Sequence, residues 1–342
     1  SAPEITPTRP HHTAEGTFKN LGTSPSPRSF FSFLWMRANT DWVDVSEADQ
    51  VLRVTVSAAE LQEVNQDQVI WLGHSCFLIQ VNGLNILTDP VFSDRASPVS
   101  FAGPKRYTQP PISIAKLPEI HAVVISHNHY DHLDQESIEL IEDQFDPHWY
   151  VPLKNGELLT EVNVPSSRVI ELDWWDSSKA TLGPKQTPIT FTATPAQHWS
   201  ARGLFDRNEM LWSSWVFAVG EHKVFFGGDT GYHSELFKDI GKRLGPFSLG
   251  VIPIGAYAPR EFMHYAHVKP KEAVSIHVDV KSSRSLGAHW GTFPLTAEPV
   301  MDPPKMLRSS LEERGISTNR FIAPVLGAIY SLDNQREWVT TQ

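Results

Sequence analysis

One short stretch of the chain brings together four side chains of the types that bind metal ions. Residues 127–132 read HNHYDH and directly follow an apolar, strand-like run. His127 and His129 can face the same way from an extended loop, whereas Asp131 and His132 begin the next turn and can face a neighbouring position. Burying four ionisable groups at a strand end is costly unless a cation neutralises them. The stretch therefore predicts a metal centre, and its layout suits two ions better than one.

The donor types and three further residues narrow the chemistry of this centre. Neutral imidazole with carboxylate suits zinc, with manganese or iron as alternatives, whereas calcium prefers oxygen ligands alone. His198, Asp229 and His289 each follow a strand-like apolar segment and complete a set of five histidines and two aspartates. A structural zinc site is usually closed by four ligands, so seven ligands for two ions leave coordination positions open for catalysis. A metal-binding protein without turnover is the alternative from another functional class.

Short β-rich runs bounded by turn residues predict the elements that position these groups. Residues 68–88 predict a meander of three strands, with a turn at Asn82 and Gly83. Beyond it, strands and helices alternate in two successive series, the second starting near Trp212. Two such series predict two sheets packed face to face with helices outside, a four-layer α/β/β/α sandwich. Strands are expected at 69–72, 77–81, 84–88, 122–126, 149–152, 169–172, 189–194, 215–219, 224–227, 250–254, 285–289 and 321–324, and helices at 135–143, 234–244 and 271–278.

Composition excludes several classes of protein. The chain has 342 residues, of which 40% are apolar and 20% charged, so it is neither disordered, collagenous nor a coiled coil. Its formal net charge of -10 repels polyanions, and no nucleic-acid partner is expected. The single cysteine, Cys76, excludes an internal disulfide and a thiolate cluster. No apolar stretch approaches the roughly 20 residues that a membrane-spanning helix needs.

The beginning of the chain differs from the rest. Residues 1–40 are expected to form an N-terminal arm, and residues 41–342 a single catalytic domain. Prolines before residue 29 oppose regular helix there. The aromatic run FFSFLWM at residues 30–36 predicts either a strap packed on the core or an element lying in a membrane interface. Because the first residue is Ser1 rather than Met, an upstream segment is expected to have been trimmed, and the sequence does not predict the compartment.

Longer motifs carry a resemblance to known families. The HNHYDH string with the three later residues is similar to the metal motif of the metallo-β-lactamase superfamily. Six longer strings resemble the N-acylphosphatidylethanolamine-hydrolysing phospholipase D family, from about residue 30 to about residue 324. This likeness implies that the single catalytic domain has the metallo-β-lactamase fold. The strings are LTDPVFSDRASPVSFAGPKR (87–106), ISHNHYDHLD (125–134), ELDWW (171–175), GGDTGY (227–232), IPIGAYAPR (252–260) and AHWGTF (288–293).

The resemblance implies a site with two zinc ions per chain, bridged by the carboxylate of Asp229, which offsets the repulsion between two dications. It also implies a phosphodiesterase that converts N-acylphosphatidylethanolamine into N-acylethanolamine and phosphatidic acid through a metal-bridging hydroxide. Asp131 is counted among the catalytic residues as well as the ligands. A hydrolase of the same fold that acts on a soluble phosphodiester or a lactone is the alternative. The implied ligands are His127, His129 and His198 for one ion, and Asp131, His132 and His289 for the other.

Four further residues are expected near this site. His267 matches a histidine that the family carries near its site and is the candidate general acid. The family usually has Gln before it, whereas this chain has Ala266. Tyr130 is a candidate for substrate binding. Asp89 follows a strand and is expected to accept a hydrogen bond from a ligand imidazole, and His74 is expected near the metals without binding them.

The family resemblance further implies a peripheral membrane enzyme, acting in phospholipid degradation, and a homodimer. The net charge argues against broad attraction to anionic lipid. Docking is therefore expected to rest on apolar contact at residues 30–36 and on a local basic patch formed by Lys105 and Arg106.

Overall fold

Two seven-stranded sheets form the centre of this computed structural model, which describes residues 9–22, 30–39 and 44–338. Within those residues the strands, numbered along the chain, have the following bounds. They are β1 (Gln68–Gly73), β2 (Cys76–Val81), β3 (Leu84–Thr88), β4 (Ala122–Val124), β5 (His148–Pro152), β6 (Val169–Leu172), β7 (Ser177–Leu182), β8 (Thr187–Thr194), β9 (Ser214–Val219), β10 (His222–Phe226), β11 (Leu249–Pro253), β12 (Ser285–Ala288), β13 (Phe321–Ile322) and β14 (Ile329–Ser331).

The order of the strands shows how the two sheets are built. The first sheet runs β14-β1-β2-β3-β4-β5-β6, and the second runs β13-β12-β11-β10-β9-β8-β7. Each contains an antiparallel meander, β1 to β3 or β7 to β10, that continues into parallel strands. Helices cover the outer faces, so the predicted four-layer sandwich is confirmed.

Two parts of the predicted topology are wrong. The sequence pattern places residues 189–194 in the first series, but they form part of β8 of the second sheet, which pairs with β7 and β9. The C-terminal strand β14, which the pattern does not predict, returns to the first sheet and pairs with β1. Sheet membership depends on long-range pairing, which alternation within one segment does not reveal.

The three predicted helices are confirmed, and the described residues contain five more that were not predicted: three are short, one begins at the aromatic run of residues 30–36, and one carries prolines in its first turn. The three predicted helices correspond to α3, α5 and α7 below. Helix α8 escapes prediction because two prolines follow its first residue, although proline is tolerated in the first turn of a helix. The helices are α1 (Phe30–Asn39), α2 (Ala58–Gln62), α3 (Gln135–Phe145), α4 (Gly156–Thr160), α5 (Ser234–Arg243), α6 (Arg260–Met263), α7 (Pro270–Asp279) and α8 (Asp302–Glu313).

Strand β1 illustrates how the layers are held together. All six of its residues are buried, so both of its faces are covered. Val69 and Trp71 lie in the apolar cluster shared with Phe217 of the second sheet. Ile70 and Leu72, which point the opposite way, pack in the cluster that contains residues of α3. The first sheet is therefore sandwiched between the second sheet and its own helices.

The predicted N-terminal arm is described only in part, because residues 1–8, 23–29 and 40–43 lie outside the described ranges. The aromatic run falls on α1. There the side chain of Met36 is buried, whereas that of Trp35 is 65% exposed. Among the described helices, none has the length and apolar character needed to cross a membrane.

Candidate metal centre

Five loops that leave strand ends meet at one edge of the two sheets. In the first sheet, Asp89 follows β3 and residues 127–132 follow β4. In the second sheet, His198 lies beyond β8, Asp229 lies beyond β10 and His289 directly follows β12. Functional residues in α/β proteins commonly lie beyond the carboxyl ends of strands. The face-to-face packing of the sheets thus brings together groups that are far apart in sequence.

Three histidines form the first of two adjacent groups. The rings of His127, His129 and His198 lie with their centroids 4.6 to 5.1 Å apart. Nε2 of His198 is 3.2 Å from Nδ1 of His129. These three side chains offer ligand atoms that all lie close to one another, as a single metal ion requires.

The second group contains the aspartate and two further histidines. Oδ2 of Asp131 is 3.1 Å from Nε2 of His132 and 3.2 Å from Nε2 of His289. The two groups meet at Asp229. Its Oδ2 lies 3.0 and 3.2 Å from those same two nitrogens, and 3.6 and 3.7 Å from Nε2 of His127 and His198. One carboxylate oxygen therefore faces both groups at once.

The inward-facing atoms of this centre are buried without hydrogen-bond partners among the described residues. Unsatisfied buried polar atoms are rare in proteins and call for an explanation. Here the unsatisfied atoms belong to side chains that converge on one space, and they are nitrogen and oxygen atoms of the kinds that bind metal ions. A divalent metal ion is therefore a suitable partner for these atoms. The atoms are Nε2 of His127, His129, His132 and His289, and Oδ1 of Asp229.

Burial keeps the histidines of the first group neutral. It lowers the pKa of His129 to about 4. Burial, together with neighbouring imidazoles, also holds the pKa of His127 and of His198 well below the usual value. A neutral imidazole retains a lone pair on one nitrogen. This group is therefore ready to coordinate a cation at neutral pH.

In the second group the pKa shifts of the histidines have the opposite direction, because two carboxylates lie beside their imidazoles. Burial opposes charge on His132 and His289, but Asp131 and Asp229 raise the pKa of His132 well above its usual value and that of His289 to about 9. The same pairing holds the pKa of both carboxyls well below their usual range, although burial opposes this. Two carboxylates thus attract positive charge into the centre. A dication there supplies that charge without protons.

One carboxylate outside the centre orients two of its imidazoles. Oδ2 of Asp89 accepts a hydrogen bond from Nδ1 of His132 (2.6 Å), as the sequence predicted for a ligand imidazole. It also accepts from Oγ of Ser126 (2.6 Å), which in turn lies 2.8 Å from Nδ1 of His127. Each imidazole therefore uses Nδ1 for this network and turns Nε2 inward, an arrangement that metal-binding histidines commonly show.

The glycines of the GGDTGY string allow three segments to approach closely. Gly228 has a φ of +62°, and a Cβ at this position would lie 2.6 Å from Cβ of Ser126. A Cβ at Gly231 would lie 1.7 Å from the carbonyl oxygen of Tyr265. The two glycines of the string therefore allow neighbouring segments to pack closely around Asp229.

The remaining predicted site residues surround the centre. The ring of His267 lies 5.2 Å from that of His198 and 5.5 Å from that of His289, so it borders both groups. Tyr130 faces a groove instead. Its hydroxyl donates to the backbone oxygen of Arg202 (3.1 Å), whose guanidinium lies 4.0 Å from the tyrosine ring centre.

Two other sequence observations have structural counterparts. Nε2 of His74 donates to Oδ2 of Asp131 at 2.8 Å, so His74 lies beside the centre as expected. Ala266, where the family usually has Gln, contributes its backbone oxygen, which accepts from Nδ1 of His198 (3.0 Å). A backbone contact of this kind does not depend on the side chain, so the departure at this position leaves the orientation of the imidazole intact.

Some residues that support the site were not found from the sequence. Arg202 donates to the backbone oxygens of Asn128 (3.0 Å) and Leu133 (2.8 Å) and thereby spans the HNHYDH loop. The ring of Trp199 packs edge-on against His129, with centroids 4.2 Å apart. Both follow His198 closely in the chain, but no motif distinguishes an arginine or tryptophan of this kind from an ordinary surface residue.

Comparison with known proteins identifies the class that the fold and the centre define. The β-lactamase superfamily domain matches residues 84–290. A metallo hydrolase from Ignicoccus hospitalis has a similar structure, with a TM-score of 0.56 and 19% sequence identity over 78% of this chain and 98% of the other. At that identity the likeness shows the fold alone. The chain is thus a protein of the metallo-β-lactamase superfamily, and its His and Asp clusters indicate a divalent metal.

Two relatives in sequence narrow the class to a family. N-acyl-phosphatidylethanolamine-hydrolyzing phospholipase D 1 of Caenorhabditis elegans is 37% identical over 330 residues, which are 93% of this chain and 92% of that protein. The mitochondrial enzyme of that name from Saccharomyces cerevisiae is 38% identical over 265 residues, which are 77% of this chain but 55% of the relative. The chain belongs to the N-acylphosphatidylethanolamine-hydrolysing phospholipase D family and is an enzyme, which confirms the family predicted from the sequence.

Proposed function

We propose that this enzyme hydrolyses N-acylphosphatidylethanolamine to N-acylethanolamine and phosphatidic acid with two zinc ions. The observation that carries the proposal is the position of Asp229, whose Oδ2 faces both histidine groups. Two divalent ions, when bound, supply Lewis-acid stabilisation of a phosphoryl group and a water of lowered pKa. The family relationship supports the choice of lipid substrate, because both relatives carry this activity in their names.

The residues of the chain have distinct roles in this proposal. Asp229 faces both groups, and Asp131 supplies the carboxylate of the second group. His267 borders both groups and is the candidate to protonate the oxygen of the departing N-acylethanolamine. Tyr130 lies at the groove and contacts the substrate. The proposed ligands are His127, His129 and His198 for one ion, Asp131, His132 and His289 for the other, and Asp229 for both.

Product analysis tests the proposed reaction directly. Zinc-loaded protein is mixed with N-acylphosphatidylethanolamine in mixed micelles, and the lipid products are separated and identified. We expect phosphatidic acid and N-acylethanolamine, both lost in Asp131→Asn. If the lipid stays intact while a soluble phosphodiester or a lactone is cleaved, the metal centre stands but the substrate assignment is wrong. Two bound ions with no hydrolysis of any of these compounds would support the structural role instead.

Substitution of His267 tests its role as a proton donor. We expect His267→Ala to lower kcat about a hundredfold or more for an alkoxide leaving group, which needs a proton, and much less for a nitrophenolate leaving group. The measurement is kcat for the two substrate types with metal content determined in parallel. His264→Ala is the control, because this exposed histidine lies on the same loop. An equal loss on both substrates would show that His267 is not a proton donor.

We also propose that the enzyme docks on a lipid bilayer through two loop tips beside the groove. Phe101, Leu204 and Phe205 are 81%, 80% and 93% exposed, whereas large apolar side chains are normally buried. Residues 97–100 and Arg202 of the same two loops line the groove together with Tyr130. A bilayer in contact with the tips therefore faces the mouth of this groove. Trp35, in the apolar run from which docking was predicted, is a further exposed aromatic side chain.

The basic patch predicted from the sequence needs correction. Lys105 is exposed, but Arg106 is 4% exposed, donates to the backbone oxygen of Val91 (2.9 Å) and packs over the ring of Phe293. Arg106 therefore cannot contribute to a surface patch. We therefore propose that docking rests on apolar contact rather than on this basic patch.

A double substitution of the loop tip tests this docking surface. We expect Leu204→Ser with Phe205→Ser to weaken binding to phosphatidylcholine vesicles about tenfold or more, because two large apolar side chains no longer enter the interface. Sedimentation with vesicles measures the bound fraction. Val278→Ser, which removes an exposed apolar side chain from α7, should bind as the unsubstituted protein does. Unchanged vesicle binding by the double variant would exclude this surface.

We also propose a domain organisation and an oligomeric state for the protein. Residues 41–342 act as a single catalytic domain, with residues 1–40 as an arm that includes the apolar run. The family resemblance supports a homodimer that is peripheral to the membrane. Light scattering of the metal-loaded protein measures the mass and decides between monomer and dimer.

A further inference from the structure

The N-terminal segment, defined as residues 9–22, reaches one of the proposed metal ligands. Asn20 is buried, and its side chain forms hydrogen bonds with both backbone groups of His198. Nδ2 donates to the carbonyl oxygen of His198 (2.8 Å), and Oδ1 accepts from the N–H of His198 (3.0 Å). The same Oδ1 accepts from Nε1 of Trp212 (3.1 Å). A residue 178 positions away thus holds this ligand by its main chain.

The N-terminal segment is anchored to the domain by two further sets of contacts. Phe18 packs in an apolar cluster with Trp174 and Trp212. At the other end of the segment, Nε2 of His11 and Nε2 of His12 lie 2.6 and 2.7 Å from the two oxygens of Asp173. The segment therefore has fixed contacts on both sides of the turn that precedes Asn20.

The His11, His12 and Asp173 cluster has ligand-type side chains, but its geometry is that of an anchor. Its imidazole-to-carboxylate distances of 2.6 and 2.7 Å are hydrogen-bond lengths. In the metal centre, by contrast, Nε2 of His127 and of His198 lie 3.6 and 3.7 Å from Oδ2 of Asp229, beyond hydrogen-bond length. Nη1 of Arg9 also lies 3.6 Å from Asp173, and a guanidinium disfavours a second cation there.

The position of His198 depends on contacts at three places. Its ring is oriented by the backbone oxygen of Ala266, and its preceding residue Gln197 bonds to the 230–231 turn. Its own N–H and carbonyl bond to Asn20. Metal coordination requires ligand atoms placed to within about 0.2 Å, so a shift of this backbone moves Nε2 out of range. The superfamily domain matches only residues 84–290, so Asn20 lies outside it.

We propose that Asn20 is a positioning residue of the metal centre, which holds the backbone of His198 so that its Nε2 faces His129 and Asp229. The N-terminal segment is then part of the metal site rather than a covering of the domain. This inference rests on the proposed function, in which His198 is a metal ligand. It makes metal affinity, and not only stability, depend on a side chain near the beginning of the chain.

Zinc titration of metal-free protein tests the proposal. In competition with a chelating indicator, we expect the unsubstituted protein to bind two ions and Asn20→Ala to bind one of them about tenfold to a hundredfold more weakly. Asn155→Ala is the matched control. Asn155 is also buried, and its Nδ2 donates to three backbone oxygens, but none belongs to a proposed ligand. Both variants are expected to have a lower Tm, and only Asn20→Ala a lower zinc affinity.

Different results of the zinc titration would contradict the role of Asn20 and the proposed metal centre. If Asn20→Ala does not fold, Asn20→Asp carries the test, since it keeps the acceptor for the N–H of His198 and loses the donor. It should weaken zinc binding less than Asn20→Ala does. A folded variant with a lower Tm and unchanged zinc affinity would overturn the proposal and leave Asn20 a structural residue. Absence of zinc binding by the unsubstituted protein would instead overturn the metal centre, and the inference with it.

Discussion

Replacing Asp229 by asparagine is expected to abolish binding of one of the two proposed ions and to lower kcat/KM about a thousandfold, equivalent to about 4 kcal/mol of transition-state stabilisation. The reason is geometric, because Oδ2 of Asp229 faces His132 and His289 on one side and His127 and His198 on the other. An amide keeps the shape of the side chain but loses the negative charge that offsets the repulsion between two dications. Metal analysis and kcat/KM on the lipid substrate measure the two effects.

The control for this substitution is a carboxylate that does not face the centre. Asp279 on α7 accepts a hydrogen bond from the hydroxyl of Tyr232 (2.6 Å), and Asp279→Asn should retain both ions and full activity. If Asp229→Asn retained two ions at unchanged affinity, Asp229 would not bridge the two groups.

Loss of Asp89 is also expected to weaken the metal centre strongly, although this residue is not a proposed ligand. Asp89→Asn should lower zinc affinity about tenfold to a hundredfold. The carboxylate accepts hydrogen bonds from Nδ1 of His132 and from both the N–H and the Oγ of Ser126. An asparagine side chain presents an NH₂ group in place of one acceptor oxygen, so at least one of these donors loses its partner. Titration with a chelating indicator measures the affinity.

Two further variants distinguish orientation from a general effect of charge. Asp94→Asn removes an exposed carboxylate from the loop that follows Asp89 and should bind zinc normally. Ser126→Ala breaks only the link to His127 and keeps the bond between Asp89 and His132, so an intermediate affinity is expected. Equal zinc affinities for all three variants would show that Asp89 does not orient the imidazoles.

The local patterns of the sequence were sufficient for most single elements and for the candidate ligands. The short β-rich runs of β1 and β2, bounded by turn residues, mark strands. They are apolar almost throughout, because side chains on successive residues face opposite layers and both layers are apolar. The HNHYDH string indicates metal binding, because four ionisable groups in six residues have few other uses at a buried strand end. The family strings carried the likeness on which the substrate assignment depends.

The tertiary structure decided which of these elements are neighbours. The segment that forms β8 shows alternation that suits either sheet, and only its pairing with β7 and β9 assigns it to the second. Arg106 looks like a surface cation in the sequence, yet it is buried over Phe293. Exposure depends on what packs against a residue from distant parts of the chain, and this information is absent from the segment itself.

The difference between what the sequence predicts and what the tertiary structure decides is largest at the metal centre. The types and order of the predicted ligands are local features, so the sequence by itself was enough to propose them. The contacts that orient those ligands are long-range, as with Asp89 on His132 and Asn20 on His198, which are 43 and 178 residues apart. The position of Asp89 after a strand predicted that it accepts from a ligand imidazole, but not from which one. An asparagine in a loop has many uses, and no spacing rule singles out Asn20 as the side chain that binds the backbone of a proposed ligand. Only the three-dimensional structure identifies Asn20 and the imidazole that pairs with Asp89.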